Sequence, residues 1–343
     1  MRKLLNTLYI LSEDNYLSLD GDNIVVQNNE RKIARYPLHI FENIVSFSYK
    51  GASPALMGAC CDRNIGVCFF SPWGKFLACI KGSEYGNVLL RKQQYRISDA
   101  ENLSCAYAKN MILGKVYNCR WSLERTLRDH KLRVNEQAIS RVSKELQSGL
   151  ANIRQSVDLD HLRGVEGELA TRYFSVFNEL ILNQKDDFVF SNRNRRPPLD
   201  NVNALLSLTY TVLMNEVTNA LYSVGLDPYV GFMHRDRPGR KSLSLDMMEE
   251  FRGILADRFV LTLINKRIIQ NSHFYQQSDG AVLLTDEGRK QFFNAWQLKK
   301  KDQITHPFLQ EKIEWGLVPY IQALLLARTI RGDLDEYPPF LWK

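Results

Sequence analysis

The sequence predicts an α+β protein: a small N-terminal β-sandwich or twisted-sheet domain over residues 1–84, followed by a larger all-α domain over residues 85–343. Three observations lead there. A chain of 343 residues exceeds one compact core of ordinary size. Up to about residue 80 its apolar segments are short, rich in β-branched and aromatic residues, and separated by turn residues. After Gly86 the apolar spacing takes the 3.6-residue period of helices, sustained over long segments.

Strands are expected at Leu4 to Leu11, Tyr16 to Leu19, Asn23 to Gln27, Arg31 to Pro37, Ile44 to Ser48, Gly66 to Phe70 and Lys75 to Ile80. Asp20-Gly21 is a hairpin signal between the second and third. One helix interrupts them at about Ser53 to Asn64, with Ser53 as N-cap and Pro54 at the first helical position. In the second domain, helices are expected at about 87–117, 122–130, 135–154, 158–183, 200–224, 244–268, 285–300 and 307–331. The charged segment 183–200 with Pro197-Pro198 must be loop. Pro338-Pro339 end the last helix and leave a tail whose Tyr337, Phe340 and Trp342 suit an apolar docking site.

An apolar content of 45% fills both domains, and a net charge of +7 makes acidic partners plausible. The six cysteines all lie within the first 119 residues without a C-x-x-C pair, so neither a zinc ribbon nor a disulfide framework is readable. Cys60-Cys61 sits in an apolar setting without a neighbouring histidine, which argues against a thiol nucleophile. The N-terminal run MRKLLNTLYIL reads as a strand and not a signal peptide, and no apolar run reaches the roughly 18 residues of a membrane span. A cytoplasmic protein is expected. No GxSxG elbow, P-loop or strand-linked GxGxxG appears, which argues against NTP-driven chemistry.

The segment GFMHRDRPGRKSLSLDMMEEFR, Gly231 to Arg252, carries the densest chemistry. His234 stands twelve residues before Asp246, and Asp246, Glu249 and Glu250 follow the i, i+3, i+4 spacing that shares a helix face. Imidazole and carboxylate together suit a divalent cation. Arg235, Arg237, Arg240 and Lys241 would draw an anion to the same place, and Ser242 or Ser244 can cap the helix. Acidic residues near a helix start are also favoured by the macrodipole alone. A second candidate is Glu166, flanked by Gly164 and Gly167, which leave room for a ligand or for close helix packing. Arg193, Arg195 and Arg196 form another basic cluster suited to phosphate, whereas Lys299 to Lys301 read as a solvated helix end. Tyr173 and Phe174 read as core.

The segments VEGELATRYF at 165–174, RRPPLDNVNALLSLTYTVL at 195–213 and GLDPYVGFMHRDRPGRKSLSLDMMEEFR at 225–252 resemble the CRISPR-associated adaptation integrases, the Cas-one family. LLRKQQY at 89–95 and the β-to-α change near 85 resemble it too, and the form most resembled is that of type I systems of the C subtype. The resemblance implies an N-terminal β domain for dimerisation and partner contact, a helical catalytic domain, and a homodimer that assembles with the small Cas-two protein. It places metal-binding and catalytic roles on Glu166, His234 and Glu249, with Asp246 supporting or sharing ligation, and Mg²⁺ or Mn²⁺ as the ion. DNA contacts fall on Arg91, Arg193, Arg195, Arg196, Arg235, Arg237, Arg240 and Lys241. Gly253 stands where the family often has proline after the EEFR arginine.

The implied activity inserts short duplex DNA fragments into CRISPR repeat DNA as new spacers, a 3′-hydroxyl attacking a phosphodiester. Three or four ligands would serve one metal ion or two. A hydrolytic DNA endonuclease would use the same ligands with water as nucleophile. A non-enzymatic DNA scaffold is the other alternative, for which Glu166 and Glu249 are a poor choice because uncompensated carboxylates repel phosphate.

Overall fold

The computed structural model describes residues 6–29, 31–71, 76–80, 87–194 and 197–343. The N-terminal region is two sheets on one core. Strands β1 (Thr7–Ile10), β5 (Asn43–Ser46), β6 (Gly66–Phe70) and β7 (Phe76–Ile80) form a mixed sheet in the order β1-β5-β6-β7. Its first two pairings are parallel and the last antiparallel. Strands β2 (Asn15–Asp20), β3 (Asn23–Asn28) and β4 (Arg31–Pro37) make an antiparallel meander. Asp20-Gly21 turns β2 into β3, with Gly21 at φ 60°, where a glycine has no steric cost. Alternate residues Leu17, Ile24, Val26, Ile44, Val67 and Phe69 meet Leu56 and Cys60 of helix α1 (Pro54–Asp62) in the shared core. Ser53 caps α1 as its sequence predicts, accepting from the Leu56 amide at 3.2 Å. Residues 4–5 and 75 at the ends of two expected strands, and the expected domain boundary between 84 and 85, lie outside the described residues.

The helical region is built on α3 (Glu101–His130), preceded by α2 (Val88–Asp99). The expected break at 118–121 is absent. Asn118 turns inward instead, donating to the Glu250 and Phe340 carbonyls at 2.8 and 2.7 Å, so the helix runs on. The real break is the extended Ala100, where the Ser104 hydroxyl takes the Ile97 and Ser98 carbonyls that end α2. Helices α4 (Glu136–Gln155) and α5 (Leu159–Ser175) pack on α3, and α6 (Asn201–Ser223) packs on α7 (Ser242–Phe251). Asn135, Asp158 and Asp200 cap α4, α5 and α6 by accepting from the third amide of each. The helix expected to reach 183 stops at Ser175, followed by a 3-10 turn at Phe177–Leu180. There Phe174, Phe177 and Phe190 cluster, with Tyr173 buried beside them, so Tyr173 and Phe174 are core.

After α7 the chain makes a π-helical segment, Arg252–Asp257, before α8 (Arg258–Asn265). Gly253 explains why no side chain sits there: a Cβ would fall 2.6 Å from Cys119 Sγ and 3.1 Å from its backbone. The Ser122 hydroxyl reaches the Gly253 carbonyl at 3.2 Å in the same close crossing. Two short ribbons, β8 (Phe274–Gln276) with β9 (Val282–Leu284) and β10 (Gln303–Thr305) with β11 (Lys312–Glu314), correct the all-α expectation. Helices α9 (Asp286–Lys301) and α10 (Val318–Arg331) complete the region, so the helix expected from 307 starts eleven residues later. Gly332 at φ 84° closes α10. Of Lys299 to Lys301, which the sequence reads as a solvated end, only Lys301 is exposed. Lys300 is buried and pairs with Glu216 at 3.0 Å, and Lys299 lies over the Trp315 ring.

The tail docks on its own molecule. Phe340 is fully buried edge-on to Phe251 and Trp315, Tyr337 donates to Glu250 Oε1 at 2.5 Å, and the Trp342 amide donates to Asn118 at 3.0 Å. The outer face of the mixed sheet meets the helices through Tyr9, stacked on Phe293 with centroids 4.3 Å apart. All six cysteines are free, and burial pushes the Cys60 thiol up to about 12, so it is not a poised nucleophile.

One buried group makes stability depend on pH. His306 Nδ1 accepts from the Phe308 and Leu309 amides, both at 3.3 Å, so it must be unprotonated. Burial pushes its pKa down from 6.5 to about 4, against a smaller opposing effect of Gln322. A depressed histidine contributes stability that is complete above its unfolded pKa and is lost as pH falls toward its folded one. The melting temperature is therefore expected to drop between pH 6.5 and 4, and His306→Asn, whose amide oxygen accepts without titrating, to flatten that part of the profile. An unchanged profile in the variant would assign the acid sensitivity to other groups.

Candidate active site

Three helices and one loop bring the candidate residues together. Glu166 on α5 and Glu249 on α7 converge on the ammonium of Lys115, which projects from the buried face of α3. Lys115 Nζ bonds Glu166 and lies 2.8 Å from Glu249 Oε2. The second contact is close enough for an ion pair but is not aligned as a hydrogen bond, which leaves Oε2 buried without an aligned donor. Arg252, three residues after Glu249, reaches Oε1 at 3.1 Å while its guanidinium lies over the Tyr210 ring. Burial raises the Glu249 pKa, yet the Arg252 and Lys115 charges beside it outweigh that and hold the carboxyl at about 2. Burial likewise disfavours the charged Lys115, and Glu249 and Glu166 reverse that and raise its pKa. The cluster is charged throughout, two carboxylates against two cations.

Asp246 builds the histidine loop. Fully buried, it accepts from the Phe232 and Met233 amides at 2.6 and 3.0 Å on one oxygen. Its other oxygen accepts from the His234 amide at 2.9 Å and from His234 Nδ1 at 2.5 Å. Four donors on one carboxylate fold residues 231–234 against α7. They also fix the tautomer, since Nδ1 must carry its proton and Nε2 is left with the lone pair. Gly231 is required here, because a Cβ would come 2.6 Å from Asp246 Oδ2 and 2.8 Å from the Ser242 backbone. Arg163 of α5 clamps the loop from the other side, with Nε and Nη2 on the Met233 carbonyl at 2.9 and 2.5 Å. Neither Ser242 nor Ser244 caps α7. The Pro228 carbonyl accepts from the Leu243 and Ser244 amides, and Ser244 Oγ pairs with Thr218.

Asp246 therefore spends its oxygens on the loop and His234. Glu250 points away from Asp246, into the tail contacts, and burial pushes it up to about 8. Gly164 and Gly167 have nothing within 4 Å of an added Cβ, so they do not serve close helix packing. Among the described residues no three His, Cys, Asp or Glu side chains converge tightly enough to hold a metal as they stand. The donor set nevertheless fits one. Two carboxylates meet at a single cation, Glu249 keeps a buried oxygen without an aligned donor, and His234, oriented by Asp246, lies near Glu249.

The basic residues separate. Arg237 is exposed and, among the described residues, free of ion pairs, Arg235 pairs with Asp160 at 2.9 Å, and Arg240 reaches the Arg235 carbonyl. These three stay beside His234. Lys241 is buried near Asn215, with burial pushing its pKa down, so it cannot serve as a surface phosphate contact. Arg193 is likewise absorbed by the fold. It donates to Asn203 at 2.6 Å and Ser207 at 3.2 Å, and it lies over Tyr210. Arg91 lines a separate cleft beside the mixed sheet, with Arg63 and Lys300. Arg195 and Arg196 lie outside the described residues. Lys115, Arg163 and Arg252 were not anticipated from sequence. The one available signal was a lysine on the apolar face of a long helix, between Met111, Ile112 and Cys119.

Residues 8–298 match the family described as CRISPR associated protein Cas1, the Cas-one family of the motif resemblance. A curated relative from Rhodospirillum rubrum, CRISPR-associated endonuclease Cas1 2, is 48% identical over the whole of both chains. Among solved structures, a casposase bound to integration product superposes with a TM-score of 0.84 at 21% identity, covering 98% of this chain and 94% of that one. A Cas6-RT-Cas1–Cas2 complex gives 0.80 at 21% identity over 98% of this chain and 36% of that one. At such identities these two likenesses establish the fold. With a family model matched across most of its length and a full-length relative at 48% identity, the chain belongs to the Cas1 family of CRISPR-associated proteins.

Proposed function

We propose that this protein is a metal-dependent DNA integrase of CRISPR adaptation, joining the 3′ ends of short duplex fragments to CRISPR repeat DNA. The observation that carries the reading is the convergence of Glu166 and Glu249 on one buried cation, beside a histidine whose tautomer Asp246 fixes. A bound Mg²⁺ or Mn²⁺ would supply Lewis-acid polarisation of the scissile phosphate, with Glu166, Glu249 and His234 to hold it. The chain's own contribution is placement. Asp246 and Arg163 hold the His234 loop between α7 and α5, while Arg252 and Lys115 keep Glu249 ionised in a buried setting. Arg237 offers an exposed guanidinium beside His234 for the phosphate backbone.

In the reaction a fragment's 3′-hydroxyl forms a bond to phosphorus as the repeat's own 3′-oxygen leaves. The hydroxyl proton passes to solvent and the leaving oxygen takes one up. One phosphodiester replaces another, so no nucleotide triphosphate is consumed. A homodimer working with a small Cas2 protein would present two such sites to the two fragment ends. The family assignment supports this reading, as do a casposase bound to integration product and a Cas6-RT-Cas1–Cas2 complex among the structures that share the fold. No helix among the described residues is long and apolar enough to cross a membrane.

The test uses an end-labelled duplex fragment, a supercoiled plasmid carrying a repeat, and the purified protein with its Cas2 partner. Label joined covalently to plasmid, only when Mg²⁺ or Mn²⁺ is present, is expected. Nicked plasmid without joined label would establish the hydrolytic alternative instead.

A further inference from the structure

Beyond the carboxylate site, one groove concentrates unbalanced positive charge. It lies where the C-terminal end of α3 meets α8 and α9, encloses about 620 Å³, and is lined by Arg125, His130, Arg133, Arg258, Lys266 and Lys299. Two carboxylates share the lining and both are already engaged. Asp129 is held by Arg128 at 2.8 Å and Arg125 at 3.4 Å, and Asp302 by Lys299 at 3.0 Å. Arg133 donates to the neutral Leu182 carbonyl at 2.8 Å. Lys266 is exposed.

Arg258 is the telling member. Among the described residues no carboxylate lies within ion-pair distance of it, and its guanidinium rests over the Trp342 ring with 5.4 Å to the centroid. Burial first, and then the neighbouring Arg125, push its pKa down to about 10. It remains charged at neutral pH, so a partly desolvated cation stands among other cations without an anion of its own. An arrangement of that kind is stabilised when an external anion arrives, and arginine forks match phosphate oxygens in bidentate geometry.

We propose that this groove is a second docking track for the duplex DNA phosphate backbone, separate from the site that performs strand transfer. The inference rests on the DNA-integrase reading above. Arg125 lies ten residues beyond Lys115 on α3, so about 15 Å along the helix axis at 1.5 Å per residue. That spans about four to five base-pair steps of about 3.4 Å. The groove therefore cannot touch the reacting phosphate and instead holds duplex to one side of it.

The experiment measures binding of the full-length protein to a repeat-containing duplex across a salt series, for the wild type and for Arg133→Gln/Arg258→Gln/Lys266→Gln. Each neutralised phosphate contributes about 0.9 to the slope of log affinity against log salt, so three lost contacts should flatten it by about 2 to 3. Affinity near physiological salt should fall at least about tenfold, with Mn²⁺ binding to the protein unchanged. Should the triple variant fail to fold, Arg133→Glu/Lys266→Glu, at two exposed positions, should still flatten the slope by about 2. A slope unchanged in a folded variant, alongside normal salt-dependent binding by the wild type, overturns the groove and leaves it to an acidic protein surface. Absence of salt-dependent duplex binding in the wild type overturns the integrase reading itself, and the groove with it.

Discussion

Glu166→Gln, Glu249→Gln and His234→Ala should each reduce fragment joining by at least about 100-fold, the upper end of the cost of losing a residue that merely supports a metal ligand. Glutamine is the right probe at Glu249. Alanine there would strand Lys115 and Arg252 in a buried pocket, and breaking a buried pair costs about 3–5 kcal/mol. Lost activity in Glu249→Ala would then report unfolding as readily as chemistry. The amide that replaces the Glu249 carboxyl in Glu249→Gln keeps an oxygen for Arg252 and fills the same space, so this variant should melt closer to the wild type than Glu249→Ala while failing to join label. Asp246→Asn should lie between, losing about 10- to 100-fold, because it removes an acceptor that sets the His234 tautomer but no ligand. Wild-type joining by any two of the three ligand variants would remove the proposed site.

The second large effect belongs to Lys115. Its ammonium lies where the two carboxylates meet, so a divalent cation entering that place meets a positive charge already paired with its own ligands. Unit charges about 4 Å apart at an effective dielectric near 20 interact by about 4 kcal/mol, and every 1.4 kcal/mol is tenfold in affinity. Lys115→Met is therefore expected to tighten Mn²⁺ binding by at least about tenfold in titration calorimetry. It should also enlarge the rise in melting temperature that Mn²⁺ produces, since a ligand stabilises the folded state more the more tightly it binds it. Affinity unchanged or weakened in Lys115→Met would mean that the ammonium helps shape the metal site and does not compete for it.

The strands, the capped helix after Ser53 and the hairpin at Asp20-Gly21 were legible because each rests on local chemistry: period-2 patterning, a hydroxyl three residues before an amide, and a glycine at positive φ. The helix breaks were less so. Ala100 carries no breaker signal, and what ends α2 is the Ser104 hydroxyl on two of its carbonyls. Asn118 has the side chain of a helix stop, yet tertiary acceptors on α7 and in the tail turn it into a buried tie. At the site, motif resemblance named Glu166, His234 and Glu249 but not the cations beside two of them. Lys115 sits 51 residues from Glu166, and only the crossing of α3 with α5 and α7 brings their charges together. Helix α6 absorbs Arg193 and Lys241, whose basic, turn-flanked sequences look like surface patches until Asn203, Ser207 and Tyr210 take the arginine and burial beside Asn215 takes the lysine.

The claim that Glu166, Glu249 and His234 act together as one cation site is tested most directly by anomalous diffraction from crystals of the protein soaked in Mn²⁺. A strong peak within bonding distance of the Glu166 and Glu249 carboxylates and of His234 Nε2, with the Lys115 ammonium withdrawn from at least one glutamate, is the predicted result. Both glutamates still paired with Lys115 at saturating Mn²⁺, with no peak between them and His234, would contradict it.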